Sequence, residues 1–392
     1  MIEPREKLRP LVLWGGLAGA LGLALAIAGI LLDPTRGLYS YLTGYVFWLG
    51  LALGALAWLQ ALHASKARWS VVFRRLLEAS ASALVPLALL FLPIALGLGH
   101  LFPWMHRDLA AEADPNRRLA FRHAYLNAPF FLARAAFYLV LWAAAAELLL
   151  RWSTRQDSIG GPDLTRRQRA LSGGFLPVLG LTGTWAAFDW VMSLRPDWHS
   201  TTFGFYFLSG ALVGSMAAII LAVWSAEQAG LFPEPLRATH YHNLGKLLFA
   251  FVCFWAYIAF TQFLLIWIAN LPEELPWILL RTQGGWAFVG VLLMLGHFAL
   301  PFLVLLSRDF KRKPAALGAM AAWILVVHYA DSYWLVMPRL YPGAPQPRWT
   351  DLAALVGIGG LCLAFAAIRL GGHATVPVGD PYLDESLRYE RS

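Results

Sequence analysis

The chain is too apolar and carries too few charges to be a soluble globular protein. Of its 392 residues, 59% are hydrophobic, and Asp, Glu, Lys and Arg together make up 14%, against about 25% in a soluble domain. The same figures exclude disorder, collagen and coiled coil. The net charge of +8 would suggest nucleic acid as a partner of a soluble protein, but a membrane protein gathers such basic residues in the loops on one side.

We predict an all-α polytopic membrane protein with ten transmembrane helices. Each of ten apolar segments has about the 20 residues that a helix needs to cross the hydrocarbon, and they are too long for barrel strands and do not alternate. The segments are residues 10–32, 40–62, 76–101, 129–150, 170–194, 203–226, 242–269, 284–307, 315–337 and 350–370. The first is too long for a signal peptide and lacks a small-x-small cleavage site, which predicts an uncleaved helix.

An even number of spans places both termini on one side of the membrane. Most Lys and Arg residues fall in the loops of that side, which predicts that the termini are cytoplasmic. The polar loop 151–169 and the tail 371–392 are then cytoplasmic, either as contact surfaces or as solvated segments. The opposite loops include the longest insert, 102–128, and several tryptophans. Two explanations stay open: aromatic belts at the membrane interface, which account for some of the tryptophans, and a docking surface for partners on the outer side.

Two similar glycine patterns indicate an internal repeat. The second and sixth segments each carry three glycines at the same offsets, with aromatic residues between them: Gly44, Gly50 and Gly54, then Gly204, Gly210 and Gly214. The fifth and ninth segments each carry an aspartate seven residues before a proline, Asp189 and Asp331. We therefore predict one membrane domain over 1–392, with two parallel four-helix bundles, 40–194 and 203–337, flanked by helices 1 and 10.

Ten ionisable side chains in or at the ends of these helices are candidates for conducting protons. Charged groups at membrane depth are costly, and they usually face the interior of a bundle. Towards the outside lie His100, Arg134, Asp189, His328 and Asp331, near the midplane lies His297, and towards the cytoplasm lie His63, Glu78, Glu147 and Lys246. Burial brings carboxyl groups towards neutral titration, and imidazoles titrate there unaided.

A structural alternative for the same residues stays open. They could form buried ion pairs, such as Arg134 with Asp189 or Glu147 with Lys246, in which case they would hold helices together rather than move protons. A haem b held by two of the histidines is a weaker alternative, because no motif supports it. Cys253 and Cys362 lie in apolar runs and lack a C-x-x-C-H motif, so we expect no metal, haem or other redox centre on this chain. Pro86 and Pro93 predict kinks in the third helix.

Three stretches resemble a known family, the smaller NrfD-type (polysulfide-reductase-like) membrane subunit of bacterial alternative complex III. They are residues 183–207, with Gly-Thr-Trp-Ala-Ala-Phe-Asp-Trp-Val-Met-Ser-Leu-Arg-Pro, residues 244–274, and residues 328–338, with His-Tyr-Ala-Asp-Ser-Tyr-Trp-Leu-Val-Met-Pro. The tail sequence Asp-Pro-Tyr-Leu-Asp-Glu-Ser-Leu at 380–387 also fits. The resemblance extends from the first helix to the tail.

The resemblance implies a bacterial inner-membrane complex that oxidises quinol and passes electrons to a cytochrome c or an oxidase. Haem c, iron–sulfur clusters and the quinol site would lie on partner subunits, which include a larger NrfD-like chain. The smaller subunit is proposed to help conduct protons, a role that the resemblance transfers to Asp189, His328 and Asp331, and less directly to Lys246 and His297. The alternatives are a quinone-binding redox subunit, with an apolar pocket near Asp189 or His100, and a free-standing secondary transporter.

Overall fold

Ten helices long and apolar enough to span a membrane make up most of the molecule, which confirms the predicted fold class. The computed structural model describes residues 4–106, 124–272 and 274–390, and every regular element in those ranges is helical. The spans are α1 (Pro4–Leu32), α2 (Pro34–Ala64), α3 (Arg68–Leu96), α4 (Ala128–Ile159), α5 (Asp163–Leu194), α6 (Phe203–Gln228), α7 (Ala238–Ala269), α8 (Gly284–Leu306), α9 (Pro314–Arg339) and α10 (Trp349–Gly371). The loop predicted at 102–128 lies mostly outside the described residues.

The third span is broken into short pieces, as its prolines predict. A 3-10 turn is followed by helices Arg74–Ser82, Leu84–Leu90, Leu92–Leu96 and Leu98–Leu101. A proline ring removes one N–H and clashes with the carbonyl four residues earlier. Tyrosine hydroxyls of α2 bind carbonyls along this kinked span: Tyr41 donates to Leu90 O at 2.7 Å and Tyr45 to Leu87 O at 3.1 Å.

Helices α2 and α6 form the centre of the molecule and join the two bundles. Both are mostly buried, and they approach closely because Gly54 faces Ala211 and Ser215. A β-carbon at Gly54 would lie 2.4 Å from the carbonyl oxygen of Ala211. The indole of Trp58 donates to Leu212 O at 3.1 Å across the same contact. The glycines that indicated the repeat therefore bring helix backbones together.

The two outer helices, predicted to flank the bundles, pack against each other. Glycines at 19 and 22 in α1 meet glycines at 357 and 360 in α10. A β-carbon on Gly22 would lie 2.5 Å from the backbone nitrogen of Gly357. α10 is also tied to α2 by a buried, bidentate ion pair between Arg36 and Asp351, with distances of 2.9 and 2.6 Å.

Both termini lie at one end of the bundle, here called the terminal face; the other end is the opposite face. Lys7 near the N-terminus donates to Gly230 O at 2.6 Å, and Asp380 in the tail accepts from Arg74 at 2.6 Å. The tail is packed onto the protein rather than solvated, with Ser386 fully buried and bonded to Val72 N and Trp69 O.

The loop predicted at 151–169 is wrong, because most of these residues are helical. α4 continues to Ile159 and α5 begins at Asp163, so only a short turn separates two helices that extend beyond the apolar spans. Gly160 and Gly161 make the turn with positive φ angles of 65° and 80°, a backbone conformation that favours glycine. The prediction used the length of apolar segments, and these helical extensions are polar, so that criterion could not detect them.

Candidate functional site

A carboxyl group, a phenol and an imidazole meet in the interior of the second bundle. His328 and Asp331 lie three residues apart on α9 and therefore share a face. The Tyr206 hydroxyl on α6 donates to Oδ1 of Asp331 at 2.5 Å, and Nδ1 of His328 lies 3.8 Å from Oδ2. All three side chains are buried.

Two glycines of α6 create the space for this cluster. A β-carbon on Gly214 would lie 2.4 Å from a ring carbon of His328, and one on Gly210 would lie 3.1 Å from another. The glycines of the second repeat thus admit a side chain, whereas Gly54 in the first repeat admits a neighbouring backbone. The same pattern serves two different packing needs.

His297 approaches the cluster from α8, on an irregular turn. Residues Leu293–Ala299 form a π-helical segment, a rare geometry that often occurs at functional sites. Pro301 has no N–H to give to the carbonyl oxygen of His297, which disturbs the α-helical pattern here. The His297 ring is fully buried, 5.5 Å from the His328 ring and 4.2 Å from the Trp255 ring between centroids.

The cluster is short of fixed charge and of hydrogen-bond partners. Among the described residues, both ring nitrogens of His297 and Nδ1 of His328 lack a hydrogen-bond partner. Among the described residues, the basic group within ion-pair distance of Asp331 is the imidazole of His328. A carboxyl, a phenol and two imidazoles placed this way can exchange protons, because each can both donate and accept in one of its forms.

Asp189, the counterpart of Asp331 in the first bundle, is held in an ion pair. Arg134 of α4 grips both carboxylate oxygens, with distances of 2.9 and 2.8 Å, and Tyr138 donates to one of them at 3.3 Å. The guanidinium also lies over the rings of Tyr125 and Phe130. This is the pairing that the structural alternative anticipated, and it ties α4 to α5.

Two of the remaining acidic candidates are also paired. Glu78 is fully buried between Arg74 at 3.1 Å and Arg75 at 3.3 Å. Glu147 accepts from Arg369 of α10 at 2.5 Å and from Arg151 at 2.7 Å. The pairing of Glu147 with Lys246, offered as an alternative, is therefore wrong, because both carboxylate oxygens bind arginines. Arg369 lies on α10, and no residue pattern marks it as a partner of α4.

The other three candidates lie apart from the cluster. His100 is exposed near the opposite face. His63 is buried at the other end of α2, with Nδ1 3.1 Å from the Ser172 hydroxyl. Lys246 is half-buried on α7, near His242 and Lys311. The structure thus joins His328, Asp331 and His297, joins Arg134 and Asp189 separately, and distributes the rest.

Buried polar groups continue from the cluster along α2 towards the terminal face. A void of about 10 Å³ adjoins His328, Asp331 and Gly50, and one of about 20 Å³ adjoins His63; a void needs roughly 10–15 Å³ to hold one water. Gly50 and His63 are 13 residues apart on α2, about 20 Å. Between them, Ser215 faces Gly54, and Gln60 is buried with its side-chain amide unbonded to any described residue.

A large apolar cavity borders the second bundle on the side of Asp331, not near Asp189 or His100, where the quinone alternative predicted one. Its volume is about 950 Å³, and it is lined mainly by aromatic and aliphatic side chains of α7 and α8. Tyr206, which binds Asp331, and the buried Arg281 also line it.

Sequence reasoning missed three features of this region: Tyr206, Gln60 and Arg281. Tyr206 and Gln60 are polar groups inside predicted apolar spans, and their depth alone could have marked them. Arg281 belongs to a short helix, Leu275–Thr282, between α7 and α8. Its burial depends on the folding of that loop onto α9, which hydropathy does not encode.

These features define an all-α multi-pass membrane protein with a buried titratable cluster in its second bundle. A comparison of the sequence with family models finds no match, and a search of curated proteins finds none either. The resemblance seen in the motifs of helices 5, 7 and 9 stays a prediction.

Proposed function

We propose that this chain is a scaffolding and proton-conducting subunit of a respiratory quinol:cytochrome c (or oxidase) oxidoreductase complex. It would lie in the bacterial inner membrane with both termini cytoplasmic and would carry no redox centre of its own. Haem c, iron–sulfur clusters and quinol would belong to partner subunits. The respiratory context rests on the resemblance of residues 183–207, 244–274 and 328–338 to the smaller NrfD-type subunit of alternative complex III.

The observation that carries the proton-conducting part is the state of Asp331. It is buried next to Tyr206 and His328 without an arginine or lysine among the described residues within ion-pair distance. A carboxyl group without a fixed counter-charge can take up and release a proton at much lower cost than one clamped by arginine. The polar steps at Ser215, Gln60 and His63 extend from this group towards the terminal face.

The absence of an arginine or lysine partner in the described part of the chain also separates the candidate proton carriers from the other acids. Asp189, Glu78 and Glu147 each bind at least one arginine at 3.1 Å or less. Arginine stays protonated at all physiological pH values and stabilises the charged form of its partner. We therefore assign these three acids to architecture and retain Asp331, His328 and His297 as the proton-exchanging group, with His63 as the step at the terminal face.

Substitution in the intact complex tests the conducting role. With the complex purified from native membrane and reconstituted in vesicles, Asp331→Asn should reduce proton translocation per quinol oxidised and leave the oxidation rate nearly unchanged. Glu147→Gln is the control, because Glu147 is a partly exposed, arginine-bound acid of the first bundle, and it should alter neither rate. Equal loss of both rates in Asp331→Asn, or loss of neither, would contradict the conducting role.

Gentle purification tests the assignment to a complex. Chains carrying haem c and iron–sulfur clusters, together with a larger NrfD-like chain, should co-purify with this one. Isolation of a stable lone monomer would instead favour a secondary transporter. A quinone-binding redox subunit is the remaining alternative, and the apolar cavity gives it a specific place to be tested.

A further inference from the structure

The cavity between α7 and α8 extends along both helices. Its lining residues on α8 run from Ala287 to Phe302, about 22 Å of helix. That covers most of the ~30 Å hydrocarbon core. The volume of about 950 Å³ is at the upper end of the range for ligand pockets. A cavity of this length and volume accommodates extended hydrocarbon chains.

The lining of the cavity is apolar, which also suits hydrocarbon chains. Phe260 and Phe263 of α7 and Phe298 and Phe302 of α8 face into the cavity. Several side chains along its mouth, including Tyr257 and Met294, are more than half exposed in the isolated chain. In a membrane this mouth would meet lipid, so hydrocarbon chains can enter it from the side.

One end of the cavity holds a buried cation. Arg281 is only 5% exposed, and no described carboxylate pairs with it. Its Nη1 donates to Trp277 O at 3.1 Å and its Nη2 to Leu335 O at 2.8 Å, whereas Nε has no partner among the described residues. Burying an unpaired charge is costly, so the site favours a ligand that brings a negative charge.

The surroundings of Arg281 disfavour its uncompensated charge, and two tryptophan rings hold its plane. Burial, and then the nearby Arg195, lower the pKa of Arg281 to about 9. The guanidinium lies 4.0 Å from the Trp277 ring centroid and 5.5 Å from that of Trp334. The Nε–H of this guanidinium lacks a partner among the described residues, and a phosphate oxygen is a suitable acceptor for it.

We propose that this cavity is a specific binding site for an anionic phospholipid, with its phosphate at Arg281 and an acyl chain along α7 and α8. Tryptophans 198 and 277 stack at 4.4 Å beside Arg281, as is typical of the headgroup level of a membrane. A neutral quinone would fit the apolar part but would leave the arginine charge uncompensated. The site does not depend on the proton-conducting role.

The test uses the full-length chain, purified in mild detergent, stripped of lipid and supplied with phosphatidylglycerol or phosphatidylcholine of identical chains. Native mass spectrometry measures the lipid retained. The protein should retain one phosphatidylglycerol in preference to phosphatidylcholine. Arg281→Gln should weaken phosphatidylglycerol binding at least about tenfold, the scale of one lost charge-assisted hydrogen bond. Arg339→Gln is the control, since Arg339 is exposed on the same face and does not line the cavity.

A second variant tests the acyl part with the charge intact. Ala259→Phe places a ring in the cavity and should reduce retention of both lipids in protein that keeps its monomer peak and helical content. If Arg281→Gln does not fold, Ala259→Phe alone tests the proposed lipid site. Unchanged lipid retention in Ala259→Phe would contradict the proposal. The proposal also fails if Arg281→Gln keeps the preference for phosphatidylglycerol, or if a short-chain ubiquinone displaces phosphatidylglycerol in an Arg281-dependent manner.

Discussion

The two bundles carry an aspartate at corresponding positions, but the two aspartates have different partners. In the first, Arg134 of α4 binds Asp189 through two hydrogen bonds. In the second, the corresponding helix α8 provides His297, and Asp331 meets Tyr206 and His328 instead. Arginine carries a permanent charge and imidazole a titratable one. Corresponding aspartates of the two bundles therefore differ in their partners: one binds an arginine, and the other meets a phenol and an imidazole.

The largest expected difference between the bundles is in how much stability is lost when each aspartate is replaced by asparagine. Asp189→Asn should lower the free energy of unfolding by about 3–5 kcal/mol, because it leaves the buried Arg134 without its counter-charge. Asp331→Asn should cost less than about 1.5 kcal/mol, because no ion pair with arginine or lysine is lost. Denaturant titration of both variants in the same detergent measures the two losses, and equal losses would remove the distinction between the bundles.

The glycine repeats predict a second contrast. Gly214→Ala should destabilise the protein by about 1–3 kcal/mol, because the new methyl group would lie 2.4 Å from the His328 ring. Gly50→Ala meets its nearest neighbour at 3.6 Å and should be tolerated. Thermal unfolding of the pair measures the difference; a larger loss in Gly50→Ala would show that the space around His328 is not tight.

The tyrosines bound to the two aspartates give a smaller effect. Tyr206→Phe removes a 2.5 Å hydrogen bond to Asp331 and should cost about 1–2 kcal/mol. Tyr138→Phe removes a 3.3 Å bond to Asp189, which keeps its two bonds to Arg134, so the cost should be lower. Parallel denaturant curves compare them, and the reverse order would indicate that Asp331 does not rely on Tyr206.

The smallest effect concerns the pH dependence of the unpaired arginine. The pKa of Arg281 is lowered by burial and by Arg195 to about 9, so between pH 9 and 12.5 the unfolded chain binds more protons than the folded one. Stability then rises with pH in that range. Between pH 8 and pH 10, the free energy of unfolding of the lipid-free protein should rise by about 1 kcal/mol more than that of Arg281→Gln. Unfolding curves at pH 8 and 10 measure the gain, and parallel behaviour of the two proteins would contradict it.

The sequence predicted the ten spans because membrane depth imposes a length and a composition that local residues reveal. It also predicted the breaks in α3, since prolines act locally. The Arg134–Asp189 pair was one of two alternatives that it left open, beside a proton-conducting role for both residues. The polar extension of α4 to Ile159 was missed because no hydrophobic signal marks it.

The cluster was predicted only in part. His328 and Asp331 lie within one turn of the same helix, so their proximity follows from helical geometry. Tyr206 and His297 come from other helices, and their approach depends on the space left by Gly210 and Gly214 and on the π-helical turn. Such contacts between distant segments arise from packing, and the residue pattern of any one helix does not specify them.

The buried tail has a consequence for how the molecule is made. Asp380 completes the ionic network of Arg74 and Glu78 at the start of α3, yet the ribosome reaches it only after all ten helices. Until the tail is made, Glu78 is the acid that faces Arg74, while Asp157 of α4 pairs with Arg75. Closure of the tail over α3 is then a late maturation step, and a chain stalled before residue 380 would leave a charged gap at the terminal face that quality-control proteases could recognise.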